Sequence, residues 1–308
     1  MDPYIMETMK QLDSEGHGDK PTKKQRDFTL LHACAEVSCE PRFLRDELLT
    51  ALFAGRDNTA MALTWTLYEL ARHPDVVEDL RRIIETTIGF NRQPTYDDLK
   101  GMKILSNMVS ETLRLYPGVP FNTRACAKDT SLPCGGGKEG NDPIGVLAGT
   151  NIIFANHMLR ESSPTHAFRF AGCLVIYITD LYISELSPDA YPPVSDAFPP
   201  AEEWCPQRWN TWFPKSWSYI PFHGGPRFCL GQQLALIEMS YVLVRIFQHY
   251  SRVELRMDET GIVEKHDSEW LRIGSQPELA ERFMKDRPRM VAEIMLYPRG
   301  DIRVAFLK

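Results

Sequence analysis

A mainly α-helical fold with small β sheets is what this sequence predicts, and three observations carry the prediction. Apolar residues recur at helical spacing over long stretches, and proline heads or ends those stretches. Short β-branched or aromatic runs follow residue 120 and recur near the C-terminus.

Residues 1–27 are polar, with Gly16, Gly18 and the basic run Lys23–Arg26, and read as a helical end followed by a loop. Phe28–Val37 reads as a short helix. Pro41 opens a pattern carried by Leu44, Leu48, Leu52, Ala62, Leu63, Leu67 and Leu70 that runs to His73, where Pro74 stops it. Gly55 lies in its middle; such a glycine costs about 1 kcal/mol against Ala, so it predicts close approach of a ligand or a local kink. Pro74–Thr87 is a second helix, with Val77, Leu80 and Ile84 in one stripe. Thr95 and Asp98 form a capping-box pattern that begins a third helical region ending at Glu111–Pro117. Phe121–Ala127, Ile144–Leu147 and Thr150–Asn156 read as strands, with a Gly135-Gly136-Gly137 turn between them. From Leu230 to Tyr250 the spacing of Leu230, Leu234, Ile237, Tyr241, Val244 and Phe247 predicts another helix. Arg252–Leu255 and Val291–Tyr297 read as strands, and Pro298–Asp301 as a turn from which Ile302–Leu307 returns as a hairpin. His266–Arg287 is polar and loop-like, with room for a short helix near Glu278–Phe283.

The 308 residues are enough for one large domain or two ordinary ones. A formal charge of -6 with mixed signs leaves no basic patch, so nucleic acid is not an implied partner. Seven cysteines are scattered without a C-x-x-C pair, which reads as a reduced set rather than a disulfide framework. A zinc module has no support, because Cys229 lacks a second Cys or His at ligand spacing. No signal peptide is recognisable, and no apolar run is long enough to span a bilayer.

The stretch with the most chemistry is Phe222-His223-Gly224-Gly225-Pro226-Arg227-Phe228-Cys229-Leu230-Gly231. It is a glycine-rich loop that ends on a cysteine and opens into a helix, where unpaired N–H groups and the helix dipole favour a thiolate. Gly231 lets something bulky approach the first turn, and Arg227 offers a fork for a carboxylate. These features point to a haem with a thiolate axial ligand; the alternative is a small buried hydrophobe in a loop. Ala54-Gly55-Arg56-Asp57-Asn58-Thr59 places an acid beside amide and hydroxyl groups, a set that holds water and passes protons if the acid is buried. The alternative is a kinked core helix with a solvated Asp57. Glu111 and Arg114 are i,i+3 neighbours able to pair.

The loop fits F-x-x-G-x-R-x-C-x-G at every fixed position and so resembles the haem-ligand signature of the cytochrome P450 family. The hexapeptide resembles that family's oxygen-binding helix, [AG]-G-x-[DE]-T-[TS], with Ala54, Gly55, Asp57 and Thr59 matching. Asn58 stands where the family usually has a threonine, which puts efficient O–O cleavage in doubt. Glu111-x-x-Arg114 followed by Pro206-Gln207-Arg208-Trp209 is similar to the family's buried structural network, with Arg208 as the later partner. The resemblance implies a cytochrome P450 fold, and a haem b whose iron is held by Cys229 within a cradle of Phe222, Arg227 and Gly231. It makes Arg124 a propionate partner (the alternative being a surface strand residue) and gives Asp57, Asn58 and Thr59 to proton supply. It further implies NADPH used indirectly through a cytochrome P450 reductase, and a lipophilic small-molecule substrate.

The similarity covers about Pro41 to Lys308 as the C-terminal haem-binding part of the domain, with 1–40 a partial helix and loop. It is nearest the fungal microsomal branch that hydroxylates n-alkanes and fatty acids. That branch is carried by residues 54–57, 69–74, 111–117, 132–137 and 224–233. Against full-length members the chain looks N-terminally truncated. A full-length member would sit on the cytosolic face of the endoplasmic reticulum membrane through an N-terminal anchor. The expected activity is insertion of one oxygen atom into an aliphatic C–H bond. The alternative is an inactive fragment that binds haem poorly or not at all. Residues 161–199 depart from the family and read as an insertion, expected either as a poorly packed surface loop or as unspliced intron sequence.

Overall fold

Helix starts follow the chain's own punctuation. The structure, a computed structural model, describes residues 2–15, 29–137, 142–155, 167–170, 173–177, 194–195, 198–201, 203–214, 219–257, 290–292, 296–298 and 301–308. The helices are α1 (Asp2–Glu15), α2 (Leu30–Ala35), α3 (Pro41–Arg72), α4 (Pro74–Thr87), α5 (Tyr96–Gly101), α6 (Lys103–Leu115) and α7 (Gln232–His249). The loop expected after residue 15 and the His266–Arg287 segment, with the short helix expected near Glu278–Phe283, lie outside the described residues. Among the described residues no helix is long and apolar enough to cross a membrane.

The chain divides into two compact units, residues 1–57 and 58–308, at a point within α3. The first has a small core of Ile5, Leu31, Ala35 and Leu44. α3 continues through Gly55, where an added Cβ would meet no protein atom within 4 Å.

The second unit is built around the apolar faces of four helices. Trp65 and Leu70 from α3, Leu80 and Ile84 from α4, Leu105 and Met108 from α6, and Leu243 and Phe247 from α7 share one buried cluster. Pro74 starts α4 as predicted, because its missing N–H falls where a helix has no acceptor to offer. The Thr95–Asp98 capping box also forms: Asp98 N–H donates to Thr95 Oγ1 at 3.2 Å and Thr95 N–H to Asp98 Oδ2 at 2.7 Å. The third helical region after it consists of two helices, α5 and α6, separated where buried Met102 takes an extended backbone. Arg81 on α4 donates to the carbonyls of Phe247 and Tyr250, both at 2.6 Å, and so occupies acceptors left open at the end of α7.

Strands β1 (Phe121–Ala125), β2 (Thr130–Gly136), β3 (Asp142–Val146) and β4 (Asn151–Ala155) follow α6. β1 pairs antiparallel with β4, and β2 with β3. The glycine turn therefore begins later than predicted; Gly136 is still in β2, and only Gly137 takes a left-handed φ of 72°. Inside the segment expected as a loop, β5 (Ala167–Phe170) and β6 (Cys173–Tyr177) are strands; β6 runs parallel to β4 and β5 completes the order β1-β4-β6-β5. The physical reason is that β4 leaves a row of unpaired backbone groups on that side, and Leu174-Val175-Ile176 has the branched side chains that suit a strand.

The C-terminal pairing also differs from expectation. β10 (Val304–Leu307) joins β7 (Arg252–Leu255), while β8 (Met290–Ala292) and β9 (Leu296–Pro298) pair with each other. Val304 and Phe306 pack on the main core from β7's side, so burial overrides the nearer hairpin partner.

Candidate functional site

The Cys229 loop is closed by its own backbone. Cys229 N–H donates to Phe222 O at 2.9 Å, Phe228 N–H to Gly225 O at 3.2 Å, and His223 N–H to Ile220 O at 2.9 Å. The geometry needs left-handed backbone at His223 (φ 60°) and Gly225 (φ 69°), around a short 3-10 helix at Gly225–Arg227. Gly231 is the N-cap of α7, and Ala235 N–H donates back to Gly231 O at 2.9 Å. Cys229 is a half-buried free thiol two residues before that cap. Phe222, at the other end of the loop, is half-buried and packs on the main core.

The apolar stripe predicted for α7 is only partly a core face. Val244 and Phe247 are buried, but Leu230 and Leu234 are 87% and 70% exposed, and Phe228 in the loop 57%. A Cβ built on Gly231 would meet only Cys229 Sγ, at 3.9 Å. An accessible sulfur, a glycine that leaves space beside it and large apolar side chains on either flank suit a flat, largely apolar cofactor, so the residues present fit a haem.

Arg227 and Arg124 are the two cations named from the sequence. Arg227 is exposed. Arg124, on β1, donates from Nη1 to Asn122 Oδ1 at 2.8 Å and to Thr123 O at 2.7 Å. Asn122 in turn lies 3.0 Å from His223 Nε2. Burial first, and the charge of Arg124 second, hold the His223 pKa below its ordinary value. Neither Asn122 nor His223 stood out in the sequence.

Glu111, Arg114 and Arg208 come together completely out of water. Arg114 grips Glu111 with two donors, Nε to Oε2 at 2.8 Å and Nη2 to Oε1 at 2.9 Å, while Arg208 Nε reaches Oε1 at 2.8 Å. Trp209 Nε1–H and Cys205 N–H add bonds to the same carboxylate at 2.9 and 2.8 Å. Arg208 Nη2 also donates to Glu203 O at 2.9 Å and Pro200 O at 3.2 Å. Burial pulls the Arg208 pKa down to about 10, which leaves it protonated near neutrality. Burial alone would raise that of Glu111, but the guanidiniums and the Cys205 N–H outweigh it and hold the carboxyl below its usual range. Arg208 rides on the short 3-10 helix Pro206–Asn210, and Tyr219 OH donates to Ser110 O at 3.0 Å, fixing the approach to the cysteine loop.

The α3 candidates do not share one environment. Asp57 is not the buried acid its motif suggested: its side chain is 37% exposed and bonded to Arg56 Nε at 2.5 Å, a bond that lowers its pKa. Its neighbours along the helix, Arg56 and Ala54, are both exposed, so nothing there forces the carboxyl inward. Thr59 is buried and Asn58 half-buried. A Cβ on Gly118 would stand 3.0 Å from Asn58 Oδ1, so the Asn58 amide occupies the space that this glycine leaves.

A second buried carboxylate escaped the sequence reading. Glu69 on α3 is fully buried and accepts from Tyr116 OH just past α6, while Tyr116 stacks on Trp65 at 4.2 Å between ring centroids. Only the neighbourhood of Glu69 to Arg72 at helical spacing hinted at it. Tyr116→Phe keeps the stack and deletes the donor, so it is expected to cost about 1–3 kcal/mol, read as a lower denaturant midpoint at unchanged slope.

The sequence profile of the family described as cytochrome P450 matches residues 1–135 and 194–279. The chain is 44% identical over 230 residues to cytochrome P450 monooxygenase pvhE of Talaromyces variabilis, an alignment covering 75% of this chain and 38% of that protein. It is 36% identical over 243 residues to cytochrome P450 52E2 of Candida apicola, covering 76% and 41%. With cytochrome P450 52A3-A of Candida maltosa it shares 35% over 245 residues, covering 77% and 41%. The chain thus spans about two fifths of the length of the curated relatives it matches. With a profile that matches most of its length and a cysteine loop, buried Glu-Arg-Arg network and mainly helical fold to go with it, the chain belongs to the cytochrome P450 family.

Proposed function

We propose that this chain carries the haem-thiolate site of a monooxygenase that inserts one oxygen atom into an aliphatic C–H bond of an alkane or fatty acid. The observation that carries the reading is the half-buried free Cys229 thiol beside Gly231, flanked by exposed Phe228 and Leu230. When bound, the haem supplies the oxidative chemistry, activating dioxygen with two electrons that come from NADPH through a reductase.

The chain's own residues bind and orient. Cys229 would hold the haem iron through its sulfur, at the point where the loop leads into α7. Arg124 and Arg227 are the cations for the haem carboxylates, and Phe222 anchors the loop to the core. Glu111, Arg114 and Arg208 fix the approach to the loop without touching the reaction. Thr59 and Asn58 are the candidates for proton supply; an amide holds water but is a poor proton relay, so much of the consumed oxygen leaves as peroxide. Asp57 takes a part in proton delivery only when its pair with Arg56 opens. The alkane or fatty-acid class rests on similarity to yeast and filamentous-fungal relatives and on the five motif segments named above. We further infer that 161–199 is an insertion relative to the family, an inference in keeping with the gap between the two matched segments.

Expression of the chain with a haem precursor, followed by the reduced carbon-monoxide difference spectrum, tests the site. A Soret band at the wavelength that names the family supports it. A blue-shifted band or absence of haem favours the second reading, an inactive chain that binds haem poorly or not at all, for which Asn58 in place of the usual threonine speaks.

A further inference from the structure

We propose that Asn122 and His223 are positioning residues: an amide–imidazole strut that ties the Cys229 loop to the strand carrying Arg124. The inference rests on the haem-site reading for its purpose, though not for its geometry.

Both ends of the Asn122 side chain are assigned by their neighbours. One terminal atom lies 2.8 Å from Thr123 N–H and 2.8 Å from Arg124 Nη1, two groups that only donate. That atom is therefore the oxygen, and the other, 3.0 Å from His223 Nε2, is the NH2 group. Turning the amide over would set NH2 against two donors. An amide nitrogen only donates, so Nε2 accepts and the ring is the neutral tautomer with its proton on Nδ1. The depressed His223 pKa, caused by burial and then by Arg124, agrees with a neutral ring.

The backbone supports a side-chain role. His223 sits at φ 60°, where a residue with a Cβ is disfavoured by about 1 kcal/mol or more and glycine is not. The residue before it, Phe222, holds the Cys229 N–H. One bond thus separates the strut from the peptide of the ligand cysteine, and the other end of the same amide orients the guanidinium of Arg124. The strut sets the distance between the candidate iron ligand and the candidate carboxylate partner. It joins residues 101 positions apart in sequence.

Two measurements on the full chain test this. The first is nitrogen NMR of the histidine rings near neutral pH, with His223 assigned by its disappearance in His223→Gln. The expected result is a protonated Nδ1 and an acceptor-type Nε2 whose shift moves in Asn122→Ala; an Nε2–H tautomer, or no movement, overturns the strut. It needs no haem. The second is haem release and iron reduction potential of the loaded chain. Asn122→Ala and His223→Leu are expected to speed haem release about fivefold and shift the potential, with His223→Gln, which retains an acceptor, recovering most of the loss. Release and potential unchanged in both variants overturn the positioning role. A wild-type chain that takes up no haem overturns the haem-site reading and with it the strut's purpose, while the NMR result still decides the strut itself.

Discussion

Glu111→Ala is expected to cost about 3–5 kcal/mol. The carboxylate is completely buried and holds two guanidiniums that are buried with it. Deleting it leaves two cations without their counter-charge, and strips Trp209 Nε1–H and Cys205 N–H of their acceptor. Denaturant unfolding checks the prediction; a loss below about 1 kcal/mol would place the network on a par with a surface pair and sink the argument. The same carboxylate gives a pH dependence with a definite sign. Its folded pKa is depressed, so the unfolded chain binds the extra proton and stability rises with pH across that interval. The contribution is fully present above about pH 4, near the unfolded value, and is lost as pH falls through the folded one. Glu111→Gln removes that part of the acid dependence.

Cys229→Ser separates fold from function. The bond that shapes the loop runs from the Cys229 backbone N–H to Phe222 O and is indifferent to the side chain. Stability is therefore expected to change by no more than about 0.5 kcal/mol. Serine has no sulfur to offer the iron, so the thiolate-specific band of the reduced carbon-monoxide spectrum is expected to vanish. Retention of the band in Cys229→Ser would assign the ligand to another free cysteine. Cys126 and Cys205, both half-buried, are then the next to replace.

Much of the helical frame was legible because its boundaries are written locally. Pro41, Pro74 and the Thr95–Asp98 box each mark a start through a backbone group they lack or satisfy. The Glu111–Arg114–Arg208 network was legible through motif order, since charge spacing alone does not distinguish a buried triad from a solvated pair. Its tryptophan and backbone donors were not, because Trp209 and Cys205 carry no pattern that announces an acceptor 98 or 94 residues away. The Asn122–His223 pair was invisible for the same reason. Strand partners failed where the nearest neighbour in sequence was not the best burial: β10 chose β7 because Val304 and Phe306 gain the core there. The environment of Asp57 was open between buried and solvated, because a motif names residue types but not which way a helix turns them; its side chain is 37% exposed. The exposed half of the α7 stripe shows the converse, that helical spacing predicts an apolar face without saying what covers it.

The pairing of Glu111 with Arg208 spans 97 residues and works as a clasp on everything between. In polymer terms, the chain between the two points is a ring, and the entropy of closing a ring grows only with the logarithm of its length. Doubling the ring costs only about 0.6 kcal/mol. Length added between the two points is therefore thermodynamically cheap, provided its own backbone groups find partners as β5 and β6 do beside β4. Its cost appears in time instead, because distant contacts must meet before the clasp rewards them, and a longer ring makes that meeting slower.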